Sequence, residues 1–532
     1  MMSIKRFPNL PNQKEDENPS IQLFGRRFYK DQTPIEYLIE FLLVFTSPKT
    51  IGRTSEKIDM GFPDMRLLNN WPEGEPLFYN PQARLVLKLF TFLGASKLET
   101  RHPSHIAHFT KILSNLNAKI NTPPHLSKES VLKLVEQILL GFVGVAQNRT
   151  WCTQTFLPLA PSLIAREAIW KRLQGREYDA IDWYRAIEQG LFTFSNHDFM
   201  ARGGEVLYLQ LCNLFSKVNS KELTAFETEM GFSDGEASLL KSRIEKGLRE
   251  LLETAPALDK LGNWIEQADT QTLDALKKYS TACGWCPEES WRESYLFAHE
   301  MANICDASID PIEKVEMLVM CCTLQVLRSL CAQSSRRWKM LTPEIQKLAP
   351  SIGFTWIVTS QDEKDKALRG ASVRNFTRLQ EMIHGALRSD EITIPDRYDM
   401  KNADEQGQDL LAKLGKAIEF VVPRKGPGAH FVLTDFLIRY FVLALISPGE
   451  RLTRQSFEDC IFRHYGIALQ GNFLEKAIKW TFGGQQLHAP LVDLDWFEAK
   501  LRSLGFLVPL SDAVSLVYNP FETIEETQRG NG

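Results

Sequence analysis

Four cysteine and histidine residues have spacing close to that of a zinc-binding motif. Cys283 and Cys286 form a C-x-x-C pair, and His299 and Cys305 follow it along the chain. Zinc prefers a tetrahedral set of sulfur and nitrogen ligands, as in zinc fingers. The last two residues are six positions apart in a predicted helix, which places them on opposite faces unless that helix ends near Met301. Ordinary buried thiols are the preferred interpretation, with a zinc site or a redox pair as alternatives, and we expect no cofactor or metal.

Two further patterns are candidates for metal-dependent chemistry. His102, His105 and His108 form H-x-x-H-x-x-H, but the local sequence offers only Glu99 as an acid, so solvated or capping histidines are favoured. The triplet Glu-Ala-Lys at 498–500 has the letters of a metal-dependent nuclease, yet it lies on a predicted helix where such a nuclease has a strand. The phosphate-binding G-x-x-x-x-G-K-[ST] loop and the H-E-x-x-H motif do not occur in the sequence. We therefore predict that the chain is not an enzyme.

Positive and aromatic side chains cluster at three places that could contact nucleic acid. These are 26–30 (Arg-Arg-Phe-Tyr-Lys), 336–339 (Arg-Arg-Trp-Lys) and 369–388, where four arginines accompany one acid, Glu381. Guanidinium groups pair with phosphates, and aromatic rings stack on unpaired bases. A solvated surface, or positive charge at a helix end, is the alternative and suits the second cluster. The candidate nucleic-acid-binding residues are Arg26, Arg27, Arg336, Arg337, Lys339, Arg374 and Arg378.

Helical patterns dominate the chain, and helices would have to position these residues. Thr33 precedes Pro34 and is followed by Glu36, the pattern of a capping box, and 310–313 (Asp-Pro-Ile-Glu) repeats it. Strand patterns are few: one covers 354–358, and a hairpin lies near the end. We therefore predict a mainly α fold. Further helices are predicted over 104–118, 127–147, 162–174, 236–253, 290–304, 360–387 and 432–446.

Polar and proline-rich stretches indicate boundaries within the chain. A chain of this length has a prior of about three to four domains. The N-terminus and the tail after Pro520 are polar, and 389–408 is rich in Asp, Glu, Asn and Pro. The predicted parts are a disordered lead (1–20), an N-terminal helical domain (21–147), a central helical domain (148–388), a linker (389–408), a winged-helix-like domain (409–520) and a disordered tail (521–532).

The C-terminal part has the element order of a winged helix. Helices are predicted over 433–446, 453–464 and 493–504, and Gly505 then precedes a hairpin of 506–510 and 514–518. DNA binding would place the third helix in the major groove. Residues 430–520 contain eight Lys or Arg and nine Asp or Glu, however, and acids on the third helix would repel phosphates. A protein-docking or purely structural role is therefore favoured over DNA contact.

Composition excludes some classes of protein. The 532 residues have a net charge of −4, so any contact with nucleic acid has to be a local patch. The nine cysteines are an odd number, and several lie in apolar helical runs, which favours reduced thiols in the cytosol. The uncharged run Met317–Leu327 is too short to cross a bilayer, and no secretory leader is visible. We expect a cytoplasmic protein without membrane contact.

Several segments resemble accessory proteins of bacterial anti-phage defence operons. They are 26–47 (RRFYKDQTPIEYLIEFLLVFTS), 148–161 (NRTWCTQTFLPLAP), 504–506 (LGF), 511–513 (SDA) and 518–520 (YNP). These segments make up a minor part of the chain, and they resemble a component of a Druantia-type system. It transfers no catalytic residue.

The resemblance implies a role among other proteins of the same operon. In such systems a large helicase-like partner is the motor, and smaller subunits help to recognise or present DNA. The implied function is a non-enzymatic antiviral subunit that acts as a partner-binding adaptor and contacts nucleic acid. An autonomous winged-helix DNA-binding regulator and a metal-dependent enzyme are the alternatives.

Overall fold

A computed structural model describes residues 4–52, 56–82, 84–95, 103–144, 155–167, 169–170, 192–193, 202–233, 235–271, 280–396, 398–485, 495–511 and 514–523. Over these residues the protein is mainly helical, which confirms the prediction of a mainly α fold. The helices before residue 270 are α1 (Pro19–Phe24), α2 (Pro34–Thr46), α3 (Met65–Asn69), α4 (Leu85–Ala95), α5 (Pro103–Lys119), α6 (Lys128–Leu140), α7 (Gly203–Ser216), α8 (Lys221–Met230), α9 (Glu236–Leu252) and α10 (Pro256–Glu266).

The second half of the chain contributes the helices that surround the candidate site. They are α11 (Trp291–Asp306), α12 (Pro311–Ser335), α13 (Pro343–Gln346), α14 (Lys366–Ala386), α15 (Lys401–Glu405), α16 (Gln408–Ala417), α17 (Asp435–Leu445), α18 (Arg454–Tyr465), α19 (Gly471–Thr481) and α20 (Asp495–Ser503).

The strands are short and form small sheets. They are β1 (Arg6–Phe7), β2 (Lys49–Ile51), β3 (Leu77–Tyr79), β4 (Ile169–Trp170), β5 (Phe192–Thr193), β6 (Thr281–Ala282), β7 (Cys286–Pro287), β8 (Trp356–Thr359), β9 (Val421–Val422), β10 (His430–Val432), β11 (Arg451–Thr453), β12 (Ile467–Ala468), β13 (Leu507–Ser511) and β14 (Val514–Tyr518).

Helix starts follow the capping residues that the sequence indicates. The backbone N–H of Thr33 donates to the Glu36 carboxylate at 2.6 Å where α2 begins, and Asp310 accepts from the N–H of Ile312 at 2.8 Å where α12 begins. These side chains satisfy donors that a helix N-terminus leaves unpaired. Both predicted starts are confirmed.

The long helix α12 lies at the centre of the fold. It has the length and apolar composition of a membrane span, but 89% of its most apolar stretch is buried inside the described structure. Its cysteines and leucines belong to an apolar core that extends from Ile4 to Val517. Burial on all sides is what a core helix of this composition requires.

A four-stranded sheet positions two helices beside each other. Its order is β12-β8-β10-β9, with β8 parallel to both β10 and β12 and with β9 antiparallel to β10. Ile357 of β8 packs in one apolar cluster with Leu368 and Ala371 of α14 and with Leu474 and Ile478 of α19. The helices α14 and α19 therefore form an outer layer on one face of this sheet.

A three-stranded sheet of order β11-β14-β13 closes the C-terminal part. The predicted hairpin is confirmed as β13 and β14, which pair antiparallel. The strand β11 lies between α17 and α18, and α20 leads into β13. The sequence between α18 and α20 forms α19, which packs on the four-stranded sheet.

The predicted helix over 162–174 is wrong in its described part. Only Pro161–Leu163 form a single 3-10 turn, and Ile169 and Trp170 form a strand. The N–H of Ser162 donates to the Asp259 carboxylate at 2.8 Å, and its hydroxyl donates to the carbonyl of Leu258 at 3.3 Å, so contacts with α10 hold this segment. Tertiary contact here overrides helix propensity.

The structure also differs from the predicted disordered lead over 1–20. Arg6 and Phe7 pair with Pro287 and Cys286, and the buried Asp16 forms ion pairs with Arg6 at 3.0 Å and Arg26 at 2.9 Å. The buried carboxylate of this segment is thus satisfied by partners inside the fold, while several of its neighbours remain exposed. Residues 1–3 and 524–532 lie outside the described part.

The predicted linker 389–408 is likewise packed. It contains α15, where Asp404 pairs with Arg388 at 2.8 Å, and the side chain of Gln406 accepts from Ser20 at 2.7 Å. Its polar composition therefore serves contacts with the N-terminal segment. The apolar core includes described residues from both sides of the predicted boundaries at 147, 388 and 408.

A buried ion pair joins the central helices to the C-terminal part. The guanidinium of Arg328 on α12 donates to both carboxylate oxygens of Glu300 on α11, at 2.8 and 2.6 Å, and neither side chain is exposed. Arg328 also donates to the backbone oxygen of His464 on α18 at 3.0 Å. Burial alone would raise the pKa of Glu300, but Arg328 and His464 outweigh it and lower that pKa to about 2.

Removing one member of this pair should destabilise the fold strongly. We expect Glu300→Gln to lower the free energy of unfolding by about 3–5 kcal/mol, because an uncompensated guanidinium would remain buried. Urea unfolding monitored by circular dichroism measures the change. The double variant Glu300→Leu/Arg328→Met removes both charges and should cost less than Glu300→Gln. A double variant less stable than the single one would contradict this explanation.

A second buried cluster holds the start of α7 against α2. The Glu40 carboxylate accepts from the N–H groups of Arg202 at 2.6 Å and Gly204 at 2.7 Å. Burial and the neighbouring Glu205 raise the pKa of Glu40 to about 8. Nearby, Lys49 donates to the carbonyls of Phe45 and Gly61, both at 3.1 Å, and burial lowers its pKa to about 7.

Glu40 and Lys49 should change the free energy of unfolding in opposite directions as pH rises. Folded Glu40 keeps a proton that the unfolded chain releases above pH 4.5, so the free energy of unfolding falls as pH rises toward 8. Unfolded Lys49 keeps a proton up to pH 10.5 that the folded chain loses near 7, so the free energy rises across that window. Glu40→Gln should reduce the fall in the free energy of unfolding with pH, and Lys49→Met should reduce its rise. Urea unfolding at a series of pH values from 5 to 10 measures both changes.

Arg374→Gln is the control and should show the same pH dependence of stability as the parent protein. If the free energy of unfolding of Glu40→Gln still fell as pH rises toward 8, the assignment of this fall to Glu40 would be wrong.

Candidate nucleic-acid interface

The second basic cluster lies directly after α12, and its cations are paired with acids. Arg336 binds both oxygens of Glu293, at 3.1 and 2.6 Å. Arg337 forms ion pairs with Glu289 and, at 3.4 Å, with Glu391. The exposed Lys339 pairs with Asp390 at 2.5 Å. The positive charge of this cluster is therefore largely neutralised by residues distant in sequence.

The third cluster lies on α14 and meets the second one at Trp338. The guanidinium of Arg378 lies over the Trp338 ring, 4.2 Å from its centroid. Gly385 makes room for the indole, because a Cβ at that position would lie 2.5 Å from its Nε1. Arg374 pairs with both oxygens of Glu381, at 2.8 and 3.3 Å. The structure thus brings Trp338 and Arg378 together, although they are forty positions apart.

Arg378 differs from the other buried candidates, Arg26 and Arg337, in having no counter-ion within the described part of the chain. It retains 8% of its surface, and its Nε is enclosed without a hydrogen-bond partner. Burial lowers the pKa of Arg378, while Glu381 opposes that change. Arginine remains charged under such conditions. A buried, charged and unpaired side chain therefore lies at the contact between α12 and α14.

The neighbouring helix α19 adds cations that the sequence analysis did not select. Together α14 and α19 contain six Lys or Arg and two Glu, a net charge of +4. Lys366, Arg369, Lys476 and Lys479 form no ion pair with another described residue. We call these four residues the outer basic layer. Their proximity comes from the parallel pairing of β8 with β12, which local sequence does not show.

The first basic cluster is packed against the N-terminal segment. Arg26 is 2% exposed and donates to Asp16 at 2.9 Å and to Gln13 at 2.7 Å. Arg27 lies over the ring of Tyr29, 4.7 Å from its centroid. Arg26 is consequently a core residue, and its predicted contact with phosphate is incompatible with this burial.

The cysteine and histidine candidates do not form a metal site. The helix α11 continues to Asp306, so it does not end near Met301 as the four-ligand arrangement required. Within the described ranges, no three His, Cys, Asp or Glu side chains are grouped so that they could hold a metal ion. Cys283, Cys286 and Cys305 are buried, and burial raises the pKa of each thiol, that of Cys305 to about 12. Burial lowers the pKa of His299 to about 3.

The other sequence candidates also have structural partners. His108 lies 3.2 Å from the carboxylate of Asp269, while His102 and the side chain of His105 lie outside the described residues. The Glu498 carboxylate on α20 accepts from Ser515 at 3.0 Å. Residues 231–235 spell G-x-S-x-G, which the sequence analysis missed. They connect α8 to α9, whereas a nucleophile elbow follows a strand.

The C-terminal helices and the three-stranded sheet are nearly neutral. The elements β11, α18, α20, β13 and β14 together contain five Lys or Arg and four Asp or Glu. On α20, Lys500 pairs with Asp435 at 2.6 Å. Val508 and Leu510 of β13 are 42% and 61% exposed. This unit therefore presents apolar surface and little net charge.

Family models, curated proteins and solved structures yield no match to the chain. The function is therefore inferred from the residues and their geometry.

The burial of the thiols has a direct chemical consequence. A pKa near 12 lowers the thiolate fraction of Cys305 about a thousandfold relative to a free thiol, and the thiolate is the reactive form. We expect an aromatic disulfide reagent at pH 8 to label the half-buried Cys460 well before Cys283, Cys286 or Cys305. Mass spectrometry of labelled peptides measures the order, with denatured protein as the control. Fast labelling of the C-x-x-C pair in the native protein would instead indicate a reactive site.

Proposed function

We propose that this protein is a non-enzymatic subunit of a bacterial antiviral system that binds partner proteins and contacts nucleic acid through the outer basic layer. The observation that carries the nucleic-acid contact is the set of four unpaired cations on α14 and α19. Most of the other candidate arginines are paired with carboxylates inside the fold. Contact with phosphates would release counter-ions from the layer and give a salt-dependent affinity.

The charge distribution favours this face over the rest of the protein. The chain as a whole carries −4, whereas α14 and α19 carry +4. A polyanion would be repelled by most of the surface and attracted to this layer. Such contact is independent of sequence, because phosphate contacts position a nucleic acid without identifying its bases.

The antiviral setting and the partners are proposed from the sequence resemblance. A Druantia-type system would supply a helicase-like motor in the cytoplasm, and this subunit would hold nucleic acid beside it. The nearly neutral C-terminal unit, with exposed Val508 and Leu510, suits contact with protein better than contact with DNA. Co-purification with the products of neighbouring genes tests this part, and a chain that always elutes alone would contradict it.

A winged-helix DNA-binding regulator is the second candidate. The strand order β11-β14-β13, together with α17, α18 and α20, supports a winged-helix arrangement. In that case α20 would enter the major groove, with β13 and β14 as the wing. The acids Asp495 and Glu498 on α20 oppose this role, since they would lie near phosphates.

Matched charge reversals separate the two candidates. We expect Lys366→Glu/Arg369→Glu to weaken binding to DNA by at least about tenfold and to reduce the salt slope of log affinity by about 2. Fluorescence anisotropy of a labelled oligonucleotide across a salt series measures both quantities. The control Arg451→Glu/Arg502→Glu makes the same change in charge on the winged-helix-like unit and should leave affinity nearly unchanged.

The reverse outcome would favour the regulator. If the control pair abolished binding and the α14 pair did not, nucleic acid would bind at the wing. If the parent protein bound neither single-stranded nor duplex DNA at low salt, the nucleic-acid part of the proposal would be wrong.

A further inference from the structure

We infer that Arg378, held against Trp338, is a binding site for one phosphate group. The inference deepens the proposed function by assigning a specific contact beside the outer basic layer. It depends on the enclosed position of this side chain, whereas the outer basic layer consists of exposed cations on α14 and half-buried cations on α19. The two can therefore be tested separately.

The first argument is that Arg378 lacks a counter-ion where its neighbours have one. Glu381 is the sole acid of α14, and Arg374 occupies both of its carboxylate oxygens. The Nε of Arg378 is enclosed, and no described residue accepts a hydrogen bond from its guanidinium. A buried charge without a partner costs free energy, so an unpaired guanidinium indicates a partner from outside the chain.

The second argument is that the guanidinium is held in a fixed orientation. Stacking on Trp338 restricts its plane, and Gly385 allows the indole to lie against α14. On the other side, a Cβ at Gly483 would lie 4.0 Å from Nη2 of Arg378, and the φ of +69° at Gly483 suits glycine. A glycine at this point keeps the space beside the guanidinium free of side-chain atoms.

The third argument is chemical. A planar guanidinium offers two parallel N–H donors and recognises phosphate oxygens in a bidentate manner. Glu381 is already engaged by Arg374, which reduces its repulsion of an incoming anion. The alternative is that Arg378 only compensates the negative C-terminal end of α19, near Gly483. The ligand class is thus an oxyanion of the phosphate type, either free or at a nucleic-acid end or backbone.

Thermal unfolding with inorganic phosphate tests the site. At equal ionic strength, we expect phosphate to raise the Tm of the parent protein over chloride, since a ligand that binds the folded state stabilises it. Arg378→Met should abolish this increase, and without phosphate its Tm should equal or exceed that of the parent, because an unpaired buried charge has been removed. Arg378→Lys, which keeps the charge without the bidentate geometry, should show a smaller increase.

Arg374→Met is the matched control, since it removes a neighbouring charge that is already paired, and it should keep the phosphate effect. If phosphate and chloride gave the same Tm for the parent protein, the site would be overturned. A Tm for Arg378→Met well below that of the parent in both salts, with the phosphate effect retained, would also overturn it and indicate the helix-end role.

Oligonucleotides with 5′-phosphate or 5′-hydroxyl ends identify the source of the phosphate. A preference for the 5′-phosphate of about tenfold that Arg378→Met removes would assign a terminal phosphate. Equal affinity for both ends, reduced by Arg378→Met, would assign a backbone phosphate. If phosphate stabilises the protein but Lys366→Glu/Arg369→Glu leaves DNA affinity unchanged, the proposed function fails and the phosphate site stands. If Lys366→Glu/Arg369→Glu loses DNA affinity but phosphate does not raise the Tm of the parent protein, the phosphate site fails and the proposed function stands.

Discussion

The buried pair of Arg328 and Glu300 fixes the arrangement on which the other features depend. A guanidinium enclosed in the core has to be neutralised there, and its partners come from α11 and from the last turn of α18. Because an unpaired charge in this environment costs several kcal/mol, these helices cannot separate from α12 without a large penalty. The strand β12 follows α18 directly and pairs with β8, so the four-stranded sheet is tied to the same point. Trp338, three residues after the end of α12, is therefore held in a defined position relative to α14.

The distribution of free and neutralised cations follows from this arrangement. The acids that pair with Arg336 and Arg337 are Glu293 on α11, Glu289 in the turn before it and Glu391 after α14. The helices α14 and α19 cover one face of the four-stranded sheet, and Lys366, Arg369, Lys476 and Lys479 form no ion pair with a described acid. Charge that is paired in the interior contributes to stability, whereas unpaired charge on an outer layer is available to a polyanion. Positive residues with similar sequence neighbours therefore have two different roles in this fold: some stabilise it through ion pairs, and others remain available to a ligand.

The sequence contains the local part of this information. Thr33 and Asp310 identify helix starts because capping is an interaction between residues two or three positions apart, and the hairpin at 507–518 is equally local. The neutralisation of Arg336 by Glu293 could not be predicted, since the two are 43 positions apart. The burial of Arg26 depends on Asp16 in a segment whose composition is typical of disorder. Lys476 and Lys479 have no neighbouring basic cluster, and their relation to α14 arises from the pairing of distant strands.

The titratable groups also bear on the choice between binding and catalysis. Glu40 and Lys49 have pKa values of about 8 and about 7, which would suit a general base or acid. Both are enclosed, however. Lys49 donates to backbone carbonyls, and Glu40 accepts from backbone N–H groups and from the side chain of Gln32. A catalytic group has to reach a substrate, and a perturbed pKa is equally the result of a structural network. Arg378 is the contrasting case, because its hydrogen-bonding capacity is unused within the described chain. For this reason the proposed ligand contact is placed at Arg378 and not at Glu40 or Lys49.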